Sequence, residues 1–310
     1  MTHFFKSIGA CFMLFLLAML TMPQHSLAQG SSSENEFPLK ALTGFTQTYY
    51  YSPGCQERAA SIAAMMEDAG VFFQQEISFT PKTILYILAP ADWTTFAAKP
   101  LHGVYGFPHN IDKVHLAIAA EDNAFWRSFL PTVDQLDPGM QQKVKKAYGK
   151  QDGSYSMMPF FDLLALHEMG HSYAAQAGLK MQRNWMGELF VNIMLHTYIA
   201  EKKPMLLPAL ETFPGMVLSK GNDSYKYTSL EDFERLYASL GMGPENYGWY
   251  QSRFHSAAKD IYNEGGKEIM KKLWFALKNH QEDLPDNAFT EMLGREVSPF
   301  VASVYLNWNR

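Results

Sequence analysis

The most constraining feature of this chain is the string His-Glu-Met-Gly-His at residues 167–171, which lies inside an apolar run from Phe160 to Ala177. Apolar residues recur in this run at helical spacing, with Pro159 at its start and Gly178 just after its end. Proline is favoured in the first turn of a helix and glycine immediately after the last, so the run predicts one amphipathic helix. Two histidines four positions apart then lie one turn apart on the same face.

The two histidines and the adjacent glutamate form a combination that is typical of a metal-dependent hydrolytic site. His167 and His171 can direct their imidazoles to one metal ion, whereas Glu168 lies about 100° around the helix, beside the metal face. From there its carboxylate can take a proton from water. Neutral imidazole and carboxylate suit Zn²⁺, and Gly170 leaves space beside the metal face. The sequence therefore predicts one Zn²⁺ ion, with Glu168 as the general base.

A third protein ligand would complete this site, and the following helix offers Glu188. The metzincin pattern needs a further histidine, but positions 174 and 177 are both alanine, which excludes that class. Sixteen residues separate His171 from Glu188, enough to end one helix at Gly178 and to begin another. Glu188 lies in the apolar run WMGELFVNIML, and a carboxylate buried there requires a cation. His196 and Glu201 are the alternative ligands.

The motif HEMGH, followed by a helix that contains W-x-G-E-L-F at residues 185–190, resembles the gluzincin group of zinc metallopeptidases. This is the MA clan of thermolysin-like and aminopeptidase-like enzymes. The resemblance extends over Phe37–Phe275 and is strongest at the motif. In that group the HExxH helix and a following glutamate helix share the metal, which implies the same three ligands here. The group's spacing to the glutamate is usually slightly longer, so this chain is expected to be a compact variant.

The resemblance also implies three further features of the site. Gluzincins have a sheet-edge strand that pairs with an extended peptide, and Lys113–Ala119 is the candidate for it. Asn192 stands where the group often has an aspartate that accepts a hydrogen bond from the first metal histidine. A downstream tyrosine or histidine donates to the oxyanion of the transition state, and Tyr250 is the first candidate, Tyr247 the second and His255 the third.

The rest of the sequence predicts an α+β fold in two parts. Residues 37–156 are expected to form a small α/β subdomain, and residues 157–310 a mainly helical, zinc-binding subdomain. Apolar and β-branched runs predict strands at Phe45–Ser52, Lys82–Leu88 and Lys113–Ala119. Helical spacing predicts helices at Gln56–Phe73, Trp185–Ile199, Leu230–Leu240, Tyr247–Asn263, Lys267–Asn279, Asp286–Leu293 and Ser298–Asn307.

The sequence also allows an interpretation of a proline-rich segment and of three scattered histidines. Pro204, Pro208 and the pair Pro214-Gly215 predict a connecting loop, because proline and glycine interrupt regular structure. His102, His109 and His115 have no spacing suited to a common metal ion, so all three are interpreted as loop or surface residues.

The N-terminus has the features of a secretory signal peptide over residues 1–28. Lys6 precedes an uncharged apolar stretch from Ile8 to Leu20, and Ser26-Leu27-Ala28 resembles a cleavage site. The stretch is shorter than the roughly 18–20 residues that cross a bilayer, so an uncleaved membrane anchor is the less favoured alternative. Residues 29–36 form a polar leader. The prediction is an exported protein, periplasmic or extracellular, without a stable membrane span after cleavage.

Charge and cysteine content narrow the partners and the sources of stability. The net charge of −5 provides no basic surface for nucleic acid. After cleavage Cys55 is the only cysteine, so an internal disulfide is excluded and stability must come from the core and from metal.

These features together predict an exported zinc-dependent metallopeptidase that hydrolyses a peptide or protein substrate with zinc-activated water. Two alternatives use the same zinc fold. One is a non-catalytic binding or scaffold protein of the cell envelope, and the other is a zinc amidase that acts on peptidoglycan peptides. The sequence leaves open whether the substrate is cut internally or at an end, and which oligomeric state the protein adopts.

Overall fold

The computed structural model describes residues 38–101, 103–130, 132–239 and 241–309. The predicted signal peptide, residues 1–28, and the polar leader, residues 29–36, lie outside the described residues. From Pro38 onward the chain forms one unit. Its N-terminal part contains a small sheet and its C-terminal part is mostly helical, so the predicted α+β fold class is confirmed.

Five short strands form a mixed sheet in the order β1-β2-β3-β5-β4. They are β1 (Lys40–Leu42), β2 (Thr48–Tyr51), β3 (Ile84–Leu88), β4 (His109–Asn110) and β5 (His115–Ala119). β2, β3 and β5 are parallel, and β1 and β4 add to the two edges in the antiparallel sense. Side chains on both faces of β5 are buried, and those of β3 are buried or partly buried, as expected of central parallel strands with the apolar runs LAIA and ILYIL.

Thirteen α-helices surround and follow this sheet in the described chain. The first five are α1 (Gln56–Ile77), α2 (Pro90–Phe96), α3 (Ala124–Ser128), α4 (Pro138–Tyr148) and α5 (Met158–Phe161). The remaining eight are α6 (Leu164–Ala177), α7 (Asn184–Lys202), α8 (Leu207–Leu218), α9 (Leu230–Tyr237), α10 (Pro244–Gly265), α11 (Lys267–Asn279), α12 (Asp286–Met292) and α13 (Pro299–Leu306). None of the helices within the described ranges is long and apolar enough to cross a membrane.

Helix α7 forms the centre of the helical part. Almost every side chain from Trp185 to Ile199 is buried, as expected for a helix that is apolar on all sides. α7 packs against α6 on one side and against α10 on another. Gly170 of α6 permits close approach, because a Cβ atom at this position would lie only 2.9 Å from Cβ of Val191. The glycine inside the motif therefore brings the two helices together.

The predicted loop at Pro204–Gly215 is wrong, because most of this segment is helix α8. Pro208 lies in the first turn, where its missing N–H has no helical partner to lose. Pro214 lies inside the helix, next to the buried side chain of Phe213. The burial of the apolar face of α8 outweighs the hydrogen bond that Pro214 removes.

The prediction of Lys113–Ala119 as the edge strand is also wrong. β5 lies between β3 and β4, so the strand at this edge of the sheet is β4. β4 has only two residues, too few for an alternating pattern to be visible in the sequence. His109 of β4 is a buried residue rather than a loop or surface residue: its Nδ1 donates to the carbonyl of Phe107 and its Nε2 accepts from the backbone of Ala98.

His115 and His102 were also interpreted as loop or surface residues. His115 is partly exposed on β5 and pairs with Asp112, which agrees with a surface position. His102 lies outside the described residues.

Candidate metal centre

Three side chains from α6 and α7 converge on one point. Nε2 of His167 lies 3.2 Å from Oε2 of Glu188, and Nε2 of His171 lies 3.6 Å from Oε1 of the same carboxylate. The two histidine Nε2 atoms are 3.3 Å apart. His167 and Glu188 are buried, and His171 is partly buried. The structure therefore brings together the three ligands that the sequence predicts.

The separations between these atoms fit a tetrahedral metal ion. Zinc bonds of about 2.0–2.1 Å hold tetrahedral ligand atoms roughly 3.3–3.4 Å apart. The two histidine nitrogens lie close to that separation from each other, and each lies close to it from one oxygen of Glu188, Oε2 for His167 and Oε1 for His171. Two imidazoles and one carboxylate are a donor set that zinc accepts with a fourth position left for another ligand. The residues present fit Zn²⁺.

The two alternative ligands lie elsewhere, each with a partner of its own. His196 is one further turn along α7 from Asn192, and its Nε2 lies 3.3 Å from Glu211. Glu201 accepts a hydrogen bond of 2.8 Å from the hydroxyl of Tyr262. Neither residue belongs to the group of atoms around Glu188.

A chain of amide side chains orients the ligands. Nδ1 of His167 donates to Oδ1 of Asn192 at 3.0 Å, which is the contact that the sequence predicts and which leaves Nε2 available to a metal. Asn192 in turn donates to Oε1 of Gln251 at 3.2 Å, and Gln251 donates to Oε2 of Glu188 at 2.7 Å. One hydrogen-bonded path therefore joins the first histidine to the carboxylate.

Two residues that hold the carboxylate of Glu188 were not predicted from the sequence. Gln251 lies on α10 and Tyr237 at the end of α9, and the hydroxyl of Tyr237 donates to Oε1 of Glu188. Neither lies near the motif in sequence, and the helical spacing of α9 and α10 does not reveal which of their residues contact α7. The only available signal is that a buried carboxylate needs hydrogen-bond donors from somewhere.

The protonation of the ligands suits metal binding. Burial lowers the pKa of His171 to about 4, so that imidazole is neutral near pH 7. Burial alone would raise the pKa of Glu188, but the neighbouring His171 and His167 and the hydroxyl of Tyr237 together lower it to about 2. For His167 the cost of burial is outweighed by its hydrogen bond to Glu188, and its pKa is raised. A metal ion therefore displaces at most the proton on His167.

Glu168, the predicted base, lines the cavity beside the ligands. It is buried on α6, and its backbone carbonyl accepts a hydrogen bond of 3.1 Å from Asn110 of β4. Burial raises the pKa of its carboxyl group to about 7; His167 opposes this shift and Glu188 adds to it. A carboxyl group with a pKa in this range can both accept and return a proton near neutral pH.

The structure does not support Tyr250 as the oxyanion donor. Its hydroxyl donates to the backbone carbonyl of Ser229 at 2.7 Å, and its ring packs against Phe233 and Trp308. Tyr250 faces the packing between α9, α10 and the C-terminus rather than the cavity. The physical reason is burial, because its large ring fills the core between these elements and its hydroxyl is satisfied there.

Tyr247 and His255, the second and third candidates, both line the cavity. The hydroxyl of Tyr247 accepts a hydrogen bond of 2.9 Å from Gln251, so its own proton remains to be donated. Burial raises the pKa of Tyr247 well above its usual value, which keeps the phenol protonated. Burial also lowers the pKa of His255 to about 3, with the nearby His167 and His196 adding to the effect, so this imidazole is neutral.

The cavity adjoining the metal ligands has a volume of about 690 Å³. It is lined by residues of α3, of α5 to α10, of β4 and of the segment that leads into β4. Its size is that of a site for a small molecule or for a few side chains of a larger substrate.

Comparison with known proteins found no match: no protein-family model, no curated protein and no solved structure is significantly similar to this chain. The resemblance to gluzincins accordingly remains a prediction from the motif and the helix that follows it.

Proposed function

We propose that this protein is a zinc-dependent metallopeptidase that hydrolyses peptide bonds of a peptide or protein substrate. The observation that carries the proposal is the convergence of His167, His171 and Glu188 at separations of 3.2–3.6 Å at the wall of a cavity that Glu168 also lines. Ligands, base and space for a substrate are therefore adjacent.

His167, His171 and Glu188 hold the ion in this proposal. A bound zinc ion supplies Lewis-acid polarisation of a carbonyl group and makes water more acidic. Asn192 fixes the imidazole of His167 in the tautomer whose Nε2 is free, and Gln251 and Tyr237 hold the carboxylate of Glu188. These contacts fix the orientation of the ligands before an ion binds.

Glu168 acts as the general base and acid. Its carboxylate takes a proton from the attacking water and later donates it to the nitrogen of the leaving amine. Its raised pKa, about 7, suits both transfers near neutral pH. Tyr247 donates a hydrogen bond to the developing oxyanion, because Tyr247 lines the cavity and its hydroxyl, which already accepts from Gln251, retains its own proton. His255 is a second donor at the same wall.

We also propose that the protein is exported, on the strength of the sequence of residues 1–28. Export would place the site in the periplasm or outside the cell, where a peptide or protein substrate is available. No role in binding nucleic acid is proposed, since the net charge is −5.

The variant Glu168→Gln tests the proposal. We expect it to retain one equivalent of zinc, because residue 168 is not a ligand, and to lose peptide hydrolysis by at least about 100-fold, since an amide cannot accept the proton. The measurement is cleavage of a diverse peptide library by the zinc-loaded protein, with and without a chelator. Glu291→Gln, on the exposed surface of α12, is the matched control and should hydrolyse like the parent.

Three outcomes would contradict the proposal or a part of it. Hydrolysis by Glu168→Gln at the parent rate would contradict the assignment of the base. Zinc binding by the parent without cleavage of any peptide would favour a binding or scaffold protein. Cleavage of peptidoglycan peptides, without cleavage of linear peptides, would favour an amidase.

A further inference from the structure

The lining of the cavity is strongly aromatic. Six phenylalanine rings line it: Phe107, Phe125, Phe129, Phe160, Phe161 and Phe213. They come from the segment before β4 and from α3, α5 and α8, which lie far apart in the sequence. Several of the rings meet edge to face, as Phe125 and Phe129 do at 5.0 Å between centroids, so the wall is a packed aromatic surface.

Charge is nearly absent from this cavity. Among the lining residues that the structure describes there is no lysine or arginine, and the only acids are Glu168 and Glu188. Both acids already have a role, as base and as ligand. Apart from the proposed zinc ion, no group here is a cationic partner for a carboxylate of a substrate, and a charged side chain among the phenylalanine rings would lose its hydration without compensation. The occupant that fits is uncharged, apolar and bulky.

Gly248 of α10 also lines the cavity, and neither the backbone nor its immediate neighbours require a glycine there. The residue lies inside a helix, and its φ angle is not in the left-handed region. A Cβ atom at this position would lie 3.5 Å from Cε1 of Phe129, an ordinary contact, whereas Gly170 has no such space. Alanine would favour the helix, so glycine at this position weakens α10 and leaves the cavity wide.

We infer that the site takes peptides with an aromatic side chain beside the bond that is cut, and that Gly248 determines this preference by keeping the phenylalanine-lined space open. The part of this inference that places the aromatic side chain beside the cut bond rests on the proposed function. Its core, the binding of an aromatic side chain in this cavity, depends only on the lining residues.

Binding of short peptides to the zinc-loaded Glu168→Gln protein tests the inference without any turnover. The probes are N-acetyl-Ala-Xaa-Ala-amides in which Xaa is Phe, Leu, Ala, Lys or Glu, and the method is isothermal titration calorimetry. We expect the Phe peptide to bind about tenfold or more tightly than the Ala peptide, as a well-filled apolar pocket permits. The Lys and Glu peptides should bind no better than the Ala peptide.

When Gly248→Leu is added to the Glu168→Gln protein, most of the tenfold preference for the Phe peptide over the Ala peptide should be lost. The leucine side chain occupies the space that the ring of the Phe peptide would fill. Gly70→Ala, inside α1 with no atom within 4 Å of the added Cβ, is the matched control and should leave the ratio unchanged. Circular dichroism checks that each variant is folded. If the leucine variant is not folded, Gly248→Ala replaces it. Gly248→Ala should lower the ratio of Phe-peptide to Ala-peptide affinity less than leucine does, and should raise the melting temperature by about 2 °C.

Equal binding of the Phe and Ala peptides, preference for Lys or Glu, or an unchanged ratio in a folded Gly248→Leu protein would each overturn the inference. Failure of the proposed function has a different signature. In that case the parent protein cleaves no peptide, while the binding preference for Phe and its loss in Gly248→Leu persist.

Discussion

Helix α10 has two faces that differ in what they do, although one short string, Tyr247–Arg253, contributes to both. On the cavity face, Tyr247 contacts Gln251, and Gln251 holds Glu188 of the candidate metal centre. On the packing face, Tyr250 is bonded to a backbone carbonyl, and Arg253 lies over the ring of Trp308 at 4.2 Å. The cavity face presents the hydroxyl of Tyr247 and the amide of Gln251 to the cavity, whereas on the packing face the hydroxyl of Tyr250 and the guanidinium of Arg253 both donate to backbone carbonyls.

The difference shows that residue type alone does not identify a functional tyrosine. Both hydroxyls have a raised pKa because of burial, so a perturbed pKa does not distinguish them. What distinguishes them is the partner. Tyr250 donates its proton to Ser229, whereas Tyr247 accepts from Gln251 and keeps a proton for a substrate. The hydroxyl that can donate to a bound substrate is therefore the one whose proton is free, that of Tyr247.

The largest expected difference between the two faces is in the rate of hydrolysis. Tyr247→Phe should lower kcat by about 100-fold, the loss typical of one oxyanion donor, with zinc affinity unchanged. Tyr250→Phe should leave kcat unchanged and lower the free energy of unfolding by about 1 kcal/mol, the contribution of one hydrogen bond. The measurements are steady-state kinetics and urea unfolding of both variants. Equal kinetic losses in both would remove the functional distinction between the faces.

A somewhat smaller effect is expected in the pH dependence of stability. The pKa of His255 is lowered to about 3 in the folded protein, from 6.5, so the unfolded chain binds the proton more tightly. The neutral cavity imidazole therefore stabilises the fold fully above pH 6.5, and this stability is lost as the pH falls toward 3. Between pH 6.5 and pH 5 the loss should be about 2 kcal/mol from this residue.

The variant His255→Gln has no imidazole that titrates at this position. From pH 6.5 to pH 5, the free energy of unfolding of this variant should therefore fall by about 2 kcal/mol less than that of the parent. The parent and the variant are compared by urea unfolding at both pH values, in chelator-treated protein, so that metal binding does not contribute. His115→Gln, at the partly exposed pair with Asp112 outside the cavity, is the control. Identical pH profiles of the parent and His255→Gln would show that His255 is not held neutral in the cavity.

The smallest of these effects concerns the zinc affinity. Gln251→Ala removes the donor to Glu188 and the acceptor of Asn192, so zinc should bind about tenfold more weakly, as for other partners of metal ligands. Gln141→Ala on α4, outside this path, should bind zinc like the parent. Competition titration with a zinc-binding dye measures both. Unchanged affinity in Gln251→Ala would show that the cavity face of α10 does not support the metal ligands.

The two faces also show where the sequence was sufficient and where it was not. Tyr247 and Tyr250 are three residues apart, so their directions on the helix differ by only about 60°, less than the width of one helix face. Local spacing therefore could not decide between them. The position of Glu188 beside His167 and His171 was predictable, because a carboxylate inside an apolar run requires a cation nearby.

Other features depend on contacts between distant segments and left no local pattern. Tyr237 and Gln251 support Glu188 only because α9 and α10 pack on α7. β4 is two residues long and is defined by its pairing with β5. Helix α8 contains prolines that indicate a loop, and the burial of its apolar face decides the outcome. The aromatic wall of the cavity likewise comes from segments that are separated in sequence.

Zinc K-edge X-ray absorption of the protein, loaded with one equivalent of zinc and then desalted, tests the proposal that two histidines and one glutamate hold a zinc ion. We expect one retained zinc ion, with nitrogen and oxygen ligands at about 2.0–2.1 Å and the scattering pattern of two imidazoles. Loss of the zinc on desalting, or a sulfur ligand at about 2.3 Å from a cysteine thiolate, would contradict it.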